Sequence, residues 1–183
     1  MAEPAPTPMD VQAFLAFAEG QERGRFELWR GELVAMAPER AEHVRAKFAV
    51  SRAFAAAIQY AGLPCEAFVD GLAVAIDAET AYEPDALVNC GERIPAGSLL
   101  APAPVVVVEV VSPSSHKRDT SLKVDGYFSV ATIAHYLVVI LSKRVVLHYR
   151  RESDERIGLT ILRAGTLTLD PPGMTLELAE FFA

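Results

Sequence analysis

Two carboxylates and a lysine are the residues of this sequence best suited to catalysis. Asp85 follows Pro84, and Glu109 interrupts the next strongly apolar run, residues 105–111. If these two segments form neighbouring strands, the two carboxylates stand side by side. Two carboxylates and a backbone carbonyl make a hard oxygen site of the kind that holds Mg²⁺ or Mn²⁺. Such an ion generates a nucleophile from bound water and neutralises charge developing on a phosphate, so the pair points to phosphodiester cleavage.

Glu109 needs a partner if the run around it is buried. Six valines flank it, and a continuous β-branched run predicts a strand covered on both faces. An isolated carboxylate there is costly, so it must be paired, protonated or bound to a cation. The residues alone leave a second interpretation open. Asp85 also fits a turn after Pro84, and Glu109 also fits a structural ion pair with a lysine.

The lysine comes from the segment that follows the valine strand. Asp119 or Thr120 fits the N-cap of a helix, and in that helix Lys123 and Tyr127 are one turn apart on the same face. A helix that packs back over the end of the strand brings Lys123 near Glu109. A positive charge at that point can orient and activate an attacking water.

The elements that must position these residues follow from the hydrophobic pattern. Residues 10–19 predict a short amphipathic helix capped by Asp10, and residues 25–36 predict a hairpin turning at Arg30-Gly31. Residues 39–60 predict the longest helix, with an apolar stripe formed by Val44, Phe48, Ser51, Ala55 and Ile58. The remaining strands are predicted at 68–76, 83–88, 105–111, 135–141 and 144–150, with a hairpin joining 157–162 to 167–169. This order predicts a mixed central sheet covered by helices.

The composition is typical of a soluble globular protein. The chain has 183 residues, of which 51% are hydrophobic and 22% charged, so we expect one domain over 1–183 with a disordered tail at 1–9. No apolar run approaches the roughly 18 residues that span a bilayer, and the first residues do not resemble a signal peptide. A cytoplasmic protein without membrane contact is therefore expected. The formal net charge of −7 disfavours a protein that coats nucleic acid, but it leaves room for a local basic site.

Several other polar residues are interpreted as structural. Cys65 and Cys90 have neither zinc nor CxxC spacing, so both are expected to be reduced and to bind no metal. The basic residues between 40 and 52, which include Lys47, are interpreted as solvated surface. Three histidines lack metal-ligand spacing and are also assigned structural roles: His116, His135 and His148.

The motifs around the carboxylates resemble those of a known family. Pro84-Asp85, the segment 109–114 and the downstream Asp119, Lys123 and Tyr127 are similar to the Uma2 family, restriction-endonuclease-like proteins of the PD-(D/E)XK nuclease superfamily. The segment 26–38 and His43 resemble that family's opening hairpin and first long helix. The likeness covers about residues 10–150. It implies an α/β (α+β) fold, a restriction-endonuclease-like core with a central mixed β-sheet flanked by helices and an N-terminal β-hairpin.

The resemblance also implies a metal site. Asp85 and Glu109 would hold the ion, with the backbone carbonyl of Val110 as a third protein ligand. The superfamily usually places its lysine two residues after the glutamate, where this chain has Val111. Uma2-like sequences supply the lysine from the following helix, which makes Lys123 the catalytic lysine here.

Four further residues have either a supporting role or an ordinary structural one. Glu27 either faces the metal site or lies on a solvated face of the hairpin, and His43 either contacts phosphate or caps a helix. Ser112 fits the end of the strand as well as the site. Tyr127 is expected mainly to pack, with its hydroxyl bonded to a buried partner.

These residues together predict a Mg²⁺- or Mn²⁺-dependent endonuclease that hydrolyses DNA. The alternative is a catalytically silent nuclease-fold domain that binds protein or nucleic acid and keeps Glu109 and Lys123 only as an ion pair. A homodimer is expected, with a sheet edge or the opening hairpin at its interface, because nucleases that act on duplexes often pair to reach both strands.

Overall fold

A computed structural model describes residues 8–21, 24–111 and 120–182. Its α-helices are α1 (Val11–Glu19), α2 (Ala41–Ala61) and α3 (Thr120–Ser129). The strands before residue 100 are β1 (Phe26–Trp29), β2 (Glu32–Ala35), β3 (Cys65–Val69), β4 (Val74–Asp77), β5 (Thr80–Tyr82) and β6 (Ala86–Cys90). The later strands are β7 (Pro104–Val111), β8 (His135–Ile140), β9 (Val145–Ser153), β10 (Arg156–Leu162), β11 (Thr166–Leu169) and β12 (Met174–Glu177). Short 3₁₀ segments occupy Leu141–Lys143 and Leu178–Phe182.

Six strands form the central sheet, in the order β10-β9-β8-β7-β6-β3. The chain passes through α3 between β7 and β8, and these two strands run parallel, whereas their neighbours pair antiparallel. A second sheet has the order β2-β1-β5-β4 and contains the predicted N-terminal hairpin. The mixed α/β architecture expected from the sequence is therefore confirmed.

The valine strand β7 separates two layers of the hydrophobic core. Its even-numbered valines pack in the layer that contains α2: Val106, Val108 and Val110. Two of its odd-numbered valines, Val107 and Val111, pack with Tyr127 and Phe128 of α3. Side chains of a strand alternate between faces, so Glu109 belongs to the side covered by α3. The helix that carries Lys123 therefore covers the face of β7 on which Glu109 lies, as the sequence predicted.

The predicted start of the fold is confirmed in its details. The Asp10 carboxylate accepts a hydrogen bond from the Ala13 N–H at 2.7 Å, which caps α1. The hairpin turns at Arg30 and Gly31, both with positive φ, and a Cβ at Gly31 would collide with Pro8. The Met9 N–H donates to the Gly31 carbonyl at 3.1 Å, so this end of the expected tail is tied to the hairpin. Residues 1–7 of that tail lie outside the described residues.

The apolar stripe predicted for α2 was wrong. Val44 and Phe48 are 55% and 62% exposed. The buried face is built from other side chains, namely Ala46, Lys47, Ala49, Val50, Ala53, Phe54, Ala57 and Ile58. Alanines occur all round this helix, so hydrophobicity alone does not distinguish its faces. The larger apolar residues were therefore assigned to the core although two of them face solvent.

Two of the predicted strands have different limits in the structure. β3 ends at Val69, and the positive φ of Asp70 (52°) and Gly71 (79°) turns the chain towards β4 in the other sheet. The single strand predicted over 68–76 was therefore wrong. β6 begins at Ala86 rather than at residue 83, so Asp85 lies in the connection just before the strand.

The hairpin predicted between 157–162 and 167–169 was also wrong. β10 pairs with β9 at the edge of the central sheet, whereas β11 pairs with β12 in a separate two-stranded sheet. Alternating apolar residues identify a strand but do not identify its partner. The partner depends here on β12, for which the sequence pattern gave no prediction.

The cysteines are not the reduced pair that was expected. Cys65 and Cys90 face each other across β3 and β6 with their Cα atoms 4.0 Å apart, and their sulfur atoms are bonded in a disulfide. The pairing depends on the register of two strands that are distant in sequence. Cysteine spacing alone therefore could not predict it.

We expect truncation of the two phenylalanines of α2 to have very different effects on stability. Phe54 is buried against Phe181, with ring centroids 6.0 Å apart. Phe54→Ala should lower the free energy of unfolding by about 3–5 kcal/mol. Phe48→Ala, the matched control on the exposed face, should lower it by less than about 0.5 kcal/mol. Urea denaturation of both variants measures the difference, and equal losses would contradict the assigned faces of α2.

Candidate active site

Asp85 lies at the point where the second sheet passes into the central one. Its N–H donates to the Val108 carbonyl at 2.9 Å, which aligns it with β7 although β6 begins one residue later. The carboxylate is buried and has contacts at both oxygens. Oδ2 accepts a hydrogen bond from the Val110 N–H, and Oδ1 pairs with the Lys47 ammonium, each at 2.6 Å. Because Ala86 is opposite Val108, Asp85 and Glu109 occupy neighbouring positions on adjacent chain segments.

Two side chains of α3 donate hydrogen bonds to Glu109, and the hairpin is connected to it through one of them. Its Oε1 accepts hydrogen bonds from Lys123 Nζ at 3.0 Å and from Tyr127 Oη at 2.7 Å. The same ammonium lies 2.8 Å from Glu27 Oε1, on β1. Glu27 also accepts the Glu83 N–H at 2.9 Å, which fixes the hairpin against the connection before Asp85. The structure therefore brings Lys123, Tyr127 and Glu27 to Glu109.

Lys47 is the residue of this site that the sequence interpretation missed. Its side chain is only 1% exposed. The ammonium pairs with Asp85, with Asp70 at 3.1 Å and with Glu39. Lys47 shares helical spacing with Val50 and Phe54, but the sequence did not show that this is the buried face of α2, because alanines occur all round the helix.

The ion pairs continue beyond the two central carboxylates. The Arg25 guanidinium lies 2.7 Å from Glu83 and 2.9 Å from Asp70, so Asp70 links Arg25 to Lys47. Six carboxylates face three cationic groups in this network, which gives a formal net charge of −3 when all are ionised. The cationic residues are Arg25, Lys47 and Lys123, and the acidic ones are Glu27, Glu39, Asp70, Glu83, Asp85 and Glu109. The network therefore has an excess of negative charge.

The excess charge and the burial change the protonation of the two central carboxylates. Burial, together with the negative charge of Glu109, raises the pKa of Asp85 to about 7, although Lys47 and the Val110 N–H act in the opposite direction. Burial also raises the pKa of Glu109 against the opposing effect of Lys123. Burial, with the charge of Glu109, raises the pKa of Tyr127 well above its ordinary value, so the phenol stays a hydrogen-bond donor. Asp85 consequently keeps its proton to a higher pH than an ordinary aspartate does.

The donor set fits a hard divalent cation. Asp85 and Glu109 are carboxylates on adjacent segments, and the surrounding network has excess negative charge. Val110 follows Glu109 in the chain, and its carbonyl is the further oxygen that such a site would use. Mg²⁺ and Mn²⁺ prefer oxygen ligands and commonly keep several waters, so they do not require a full set of protein ligands. Over residues 8–21, 24–111 and 120–182, no group of three or more His, Cys, Asp or Glu side chains is arranged to hold an ion. A metal here would therefore rest on two carboxylates and a backbone oxygen.

Among the described residues, the hydrogen bonds and ion pairs of Asp85 and Glu109 do not include His43, His135 or His148. The Nε2 atom of His43 is buried and has no hydrogen-bond partner among the described residues, and the network above does not include this residue. His135 and His148 bond to each other, Nδ1 to Nε2 at 2.9 Å, and burial lowers the pKa of each to about 4. Ser112, like His116 and Asp119, lies outside the described residues.

Comparison with a solved structure supports the fold class. The crystal structure of a protein described as a "putative nuclease belonging to DUF820", from Anabaena variabilis ATCC 29413, matches with a TM-score of 0.72. The match covers 96% of this chain and 98% of that chain, at 14% sequence identity. At this identity the likeness shows a shared fold, in agreement with the mixed α/β architecture.

The family follows from the sequence match. The model of the Uma2 family, described as "Putative restriction endonuclease", matches residues 11–179. The chain therefore belongs to the Uma2 family, and the resemblance identified from its motifs is confirmed. The match extends beyond residue 150, where the motif likeness ended, and includes β10 to β12. A comparison with curated proteins gives no match. None of the helices in the described ranges is long and apolar enough to cross a membrane.

We expect the raised pKa of Asp85 to make the metal-free protein less stable as the pH rises. Between the ordinary pKa of 3.8 and the folded value of about 7, the unfolded chain loses this proton while the folded chain keeps it. Rising pH therefore lowers the free energy of unfolding across this window, and the decrease is complete above pH 7. Asp85→Asn should show a smaller loss between pH 5 and pH 8 than the parent, by at least about 1.4 kcal/mol, the equivalent of one pKa unit.

Urea denaturation in the presence of a chelator measures this difference. Asp77→Asn is the matched control, because Asp77 accepts the local Glu79 N–H and has no ion pair with the described residues of the network. It should follow the parent at both pH values. Parallel pH profiles for the parent and Asp85→Asn would contradict the raised pKa.

Proposed function

We propose that this protein is a Mg²⁺- or Mn²⁺-dependent endonuclease that hydrolyses phosphodiester bonds in DNA. The observation that carries the proposal is the convergence of Asp85, Glu109 and Lys123 at one end of the central sheet, with the Lys123 ammonium 3.0 Å from Glu109. Three segments distant in sequence contribute these residues. Membership of a family described as putative restriction endonucleases supports the same assignment.

Each residue has a role that its contacts support. Asp85, Glu109 and the Val110 carbonyl would hold the ion, which when bound supplies a more acidic water and offsets charge on the phosphate. Lys123 would orient the attacking water through its ammonium. Tyr127 and Glu27 are positioning residues, because the first fixes the Glu109 carboxylate and the second holds the Lys123 ammonium.

The cellular location proposed for this activity is the cytoplasm, where the DNA substrate would be reached. The Cys65–Cys90 disulfide is the observation that argues against it, because cytosolic thiols are normally kept reduced. Mass spectrometry of protein alkylated directly in cells distinguishes reduced Cys65 and Cys90 from the Cys65–Cys90 disulfide.

We expect two substitutions to separate metal binding from water activation. Glu109→Gln should remove Mn²⁺ binding and DNA cleavage together, because it removes a charged ligand while keeping the shape of the side chain. Lys123→Met should lower the cleavage rate at least about 100-fold while metal affinity is unchanged or slightly improved. Plasmid nicking assays and calorimetric Mn²⁺ titrations measure the two properties, with the exposed Lys143→Met as the control.

Other outcomes would change the assignment in defined ways. A well-folded, metal-binding Lys123→Met protein that cleaves at the parental rate would refute the catalytic role of Lys123. If Lys123 is only the structural partner of Glu109, the substitution should instead cost about 3–5 kcal/mol of stability. A parent protein that neither binds Mn²⁺ nor cleaves DNA would favour the silent binding domain, in which Lys123 and Glu109 remain as an ion pair.

The second partner that we propose is another copy of the chain, bound at the edge strand β10. Ile157, Leu159 and Ile161 alternate along β10, so they lie on one face of the strand, and all three are exposed. Among the described strands β10 pairs only with β9, and no described strand covers its other edge. An antiparallel pair of such edges is self-complementary about a two-fold axis. The exposed Leu33 and Val34 of β2 point to opposite faces, which makes the hairpin the weaker candidate.

We expect a charge in the middle of β10 to prevent this pairing. Leu159→Lys places an ammonium in the centre of the proposed apolar contact and should convert the dimer into a monomer. Leu33→Lys makes the same change on β2 and should leave the dimer intact. Light scattering coupled to gel filtration at micromolar protein measures the mass. A monomeric parent would refute the dimer, and dissociation by Leu33→Lys alone would move the interface to the hairpin.

A further inference from the structure

Lys47 is a buried lysine that the proposed chemistry does not use. Its ammonium has three hydrogens and contacts three carboxylates, Asp85, Asp70 and Glu39. With 1% of the side chain exposed, it has no access to a substrate in this conformation. A lysine this deeply buried must be compensated by its partners. One of the three partners is a proposed metal ligand, so the role of Lys47 depends on what happens when the ion arrives.

The two oxygens of Asp85 are already engaged without a metal. Oδ2 accepts the Val110 N–H, and Oδ1 is in contact with the Lys47 ammonium at 2.6 Å. A divalent cation that binds Asp85 therefore approaches a carboxylate that carries a positive charge on one side. The Lys47 ammonium and a cation bound to the same carboxylate would repel each other strongly, because little water lies between them to screen the two charges. The ammonium and the cation thus compete for the same carboxylate.

The remaining partners of Lys47 allow it to yield that position. Asp70 and Glu39 both contact the ammonium and do not belong to the proposed metal ligands. Asp70 is itself held by Arg25 at 2.9 Å, so it stays in place when the ammonium shifts. Lys47 can therefore leave Asp85 and keep two of its three carboxylate contacts, without moving into solvent.

We infer that Lys47 is a positioning residue that sets the metal affinity of the site, by occupying Oδ1 of Asp85 in the metal-free protein and yielding it to a divalent cation. The inference rests on the proposed metal-dependent function. It assigns to Lys47 a role different from that of a plain structural counter-ion. A plain counter-ion would stabilise Asp70, Glu39 and Asp85 without any effect on metal binding.

Calorimetric titration of the full chain with Mn²⁺, at fixed pH and ionic strength, tests the inference. Lys47→Met removes the competing charge and should tighten Mn²⁺ binding by about tenfold or more. The same variant should unfold at a lower temperature without metal and gain more from Mn²⁺ than the parent gains. Lys143→Met removes an exposed lysine outside the network, in the 3₁₀ segment Leu141–Lys143. It should change neither the Mn²⁺ affinity nor the unfolding temperature. Unchanged or weaker Mn²⁺ binding by a folded Lys47→Met protein would overturn the inference.

A second variant keeps the test decisive if Lys47→Met does not fold. Asp70→Asn removes one of the two carboxylates that retain the ammonium, so Lys47 should hold Asp85 more firmly and Mn²⁺ should bind more weakly. Asp77→Asn is the matched control outside the network. Unchanged or tighter binding by Asp70→Asn would overturn the inference. Failure of the proposed function gives a separate result, because a parent that binds no Mn²⁺ removes the metal site and the role of Lys47 together.

Discussion

The burial of carboxylates at the end of the central sheet is the constraint on which the site depends. Glu109 lies in a strand of valines, and Asp85 is buried beside it with only 6% of its surface exposed. A buried charge must be compensated within the protein or by a bound ion. The chain supplies an ammonium to each, Lys123 to Glu109 and Lys47 to Asp85. The two lysines come from α3 and α2, so both helices are tied to the chemistry of the same sheet end.

The same constraint connects the two sheets. Glu27 on β1 accepts hydrogen bonds from Lys123 Nζ and from the Glu83 N–H, which joins the hairpin to α3 and to the connection before β6. Arg25 adds contacts to Glu83 and Asp70. The opening hairpin is thus attached to the site by polar contacts close to the carboxylates, in addition to the apolar packing of Leu28. A displacement of the hairpin would change the position of Lys123.

What the sequence could predict depended on whether the signal was local. The valine strand, the cap at Asp10, the turn at Arg30-Gly31 and the helix carrying Lys123 have local signals, and the structure contains all of them. The disulfide, the partner of β10 and the buried face of α2 depend on contacts between distant segments. Lys47 belongs to this second group, because a lysine on an alanine-rich helix is normally exposed. Its burial is favourable because Asp70 and Asp85, from distant segments, and Glu39, just before α2, surround its ammonium with carboxylates.

The network also relates metal binding to stability. Burial, together with the negative charge of Glu109, raises the pKa of Asp85, and the lysines and arginine of the network compensate only part of the acidic charge. A divalent cation would supply the missing positive charge without a proton, and its binding would therefore favour the ionised carboxylate and the folded state at once. Lys47 limits this effect because its ammonium already satisfies part of Asp85. The metal affinity of such a site is then set by the balance between a fixed set of carboxylates and an internal cation that competes for one of them.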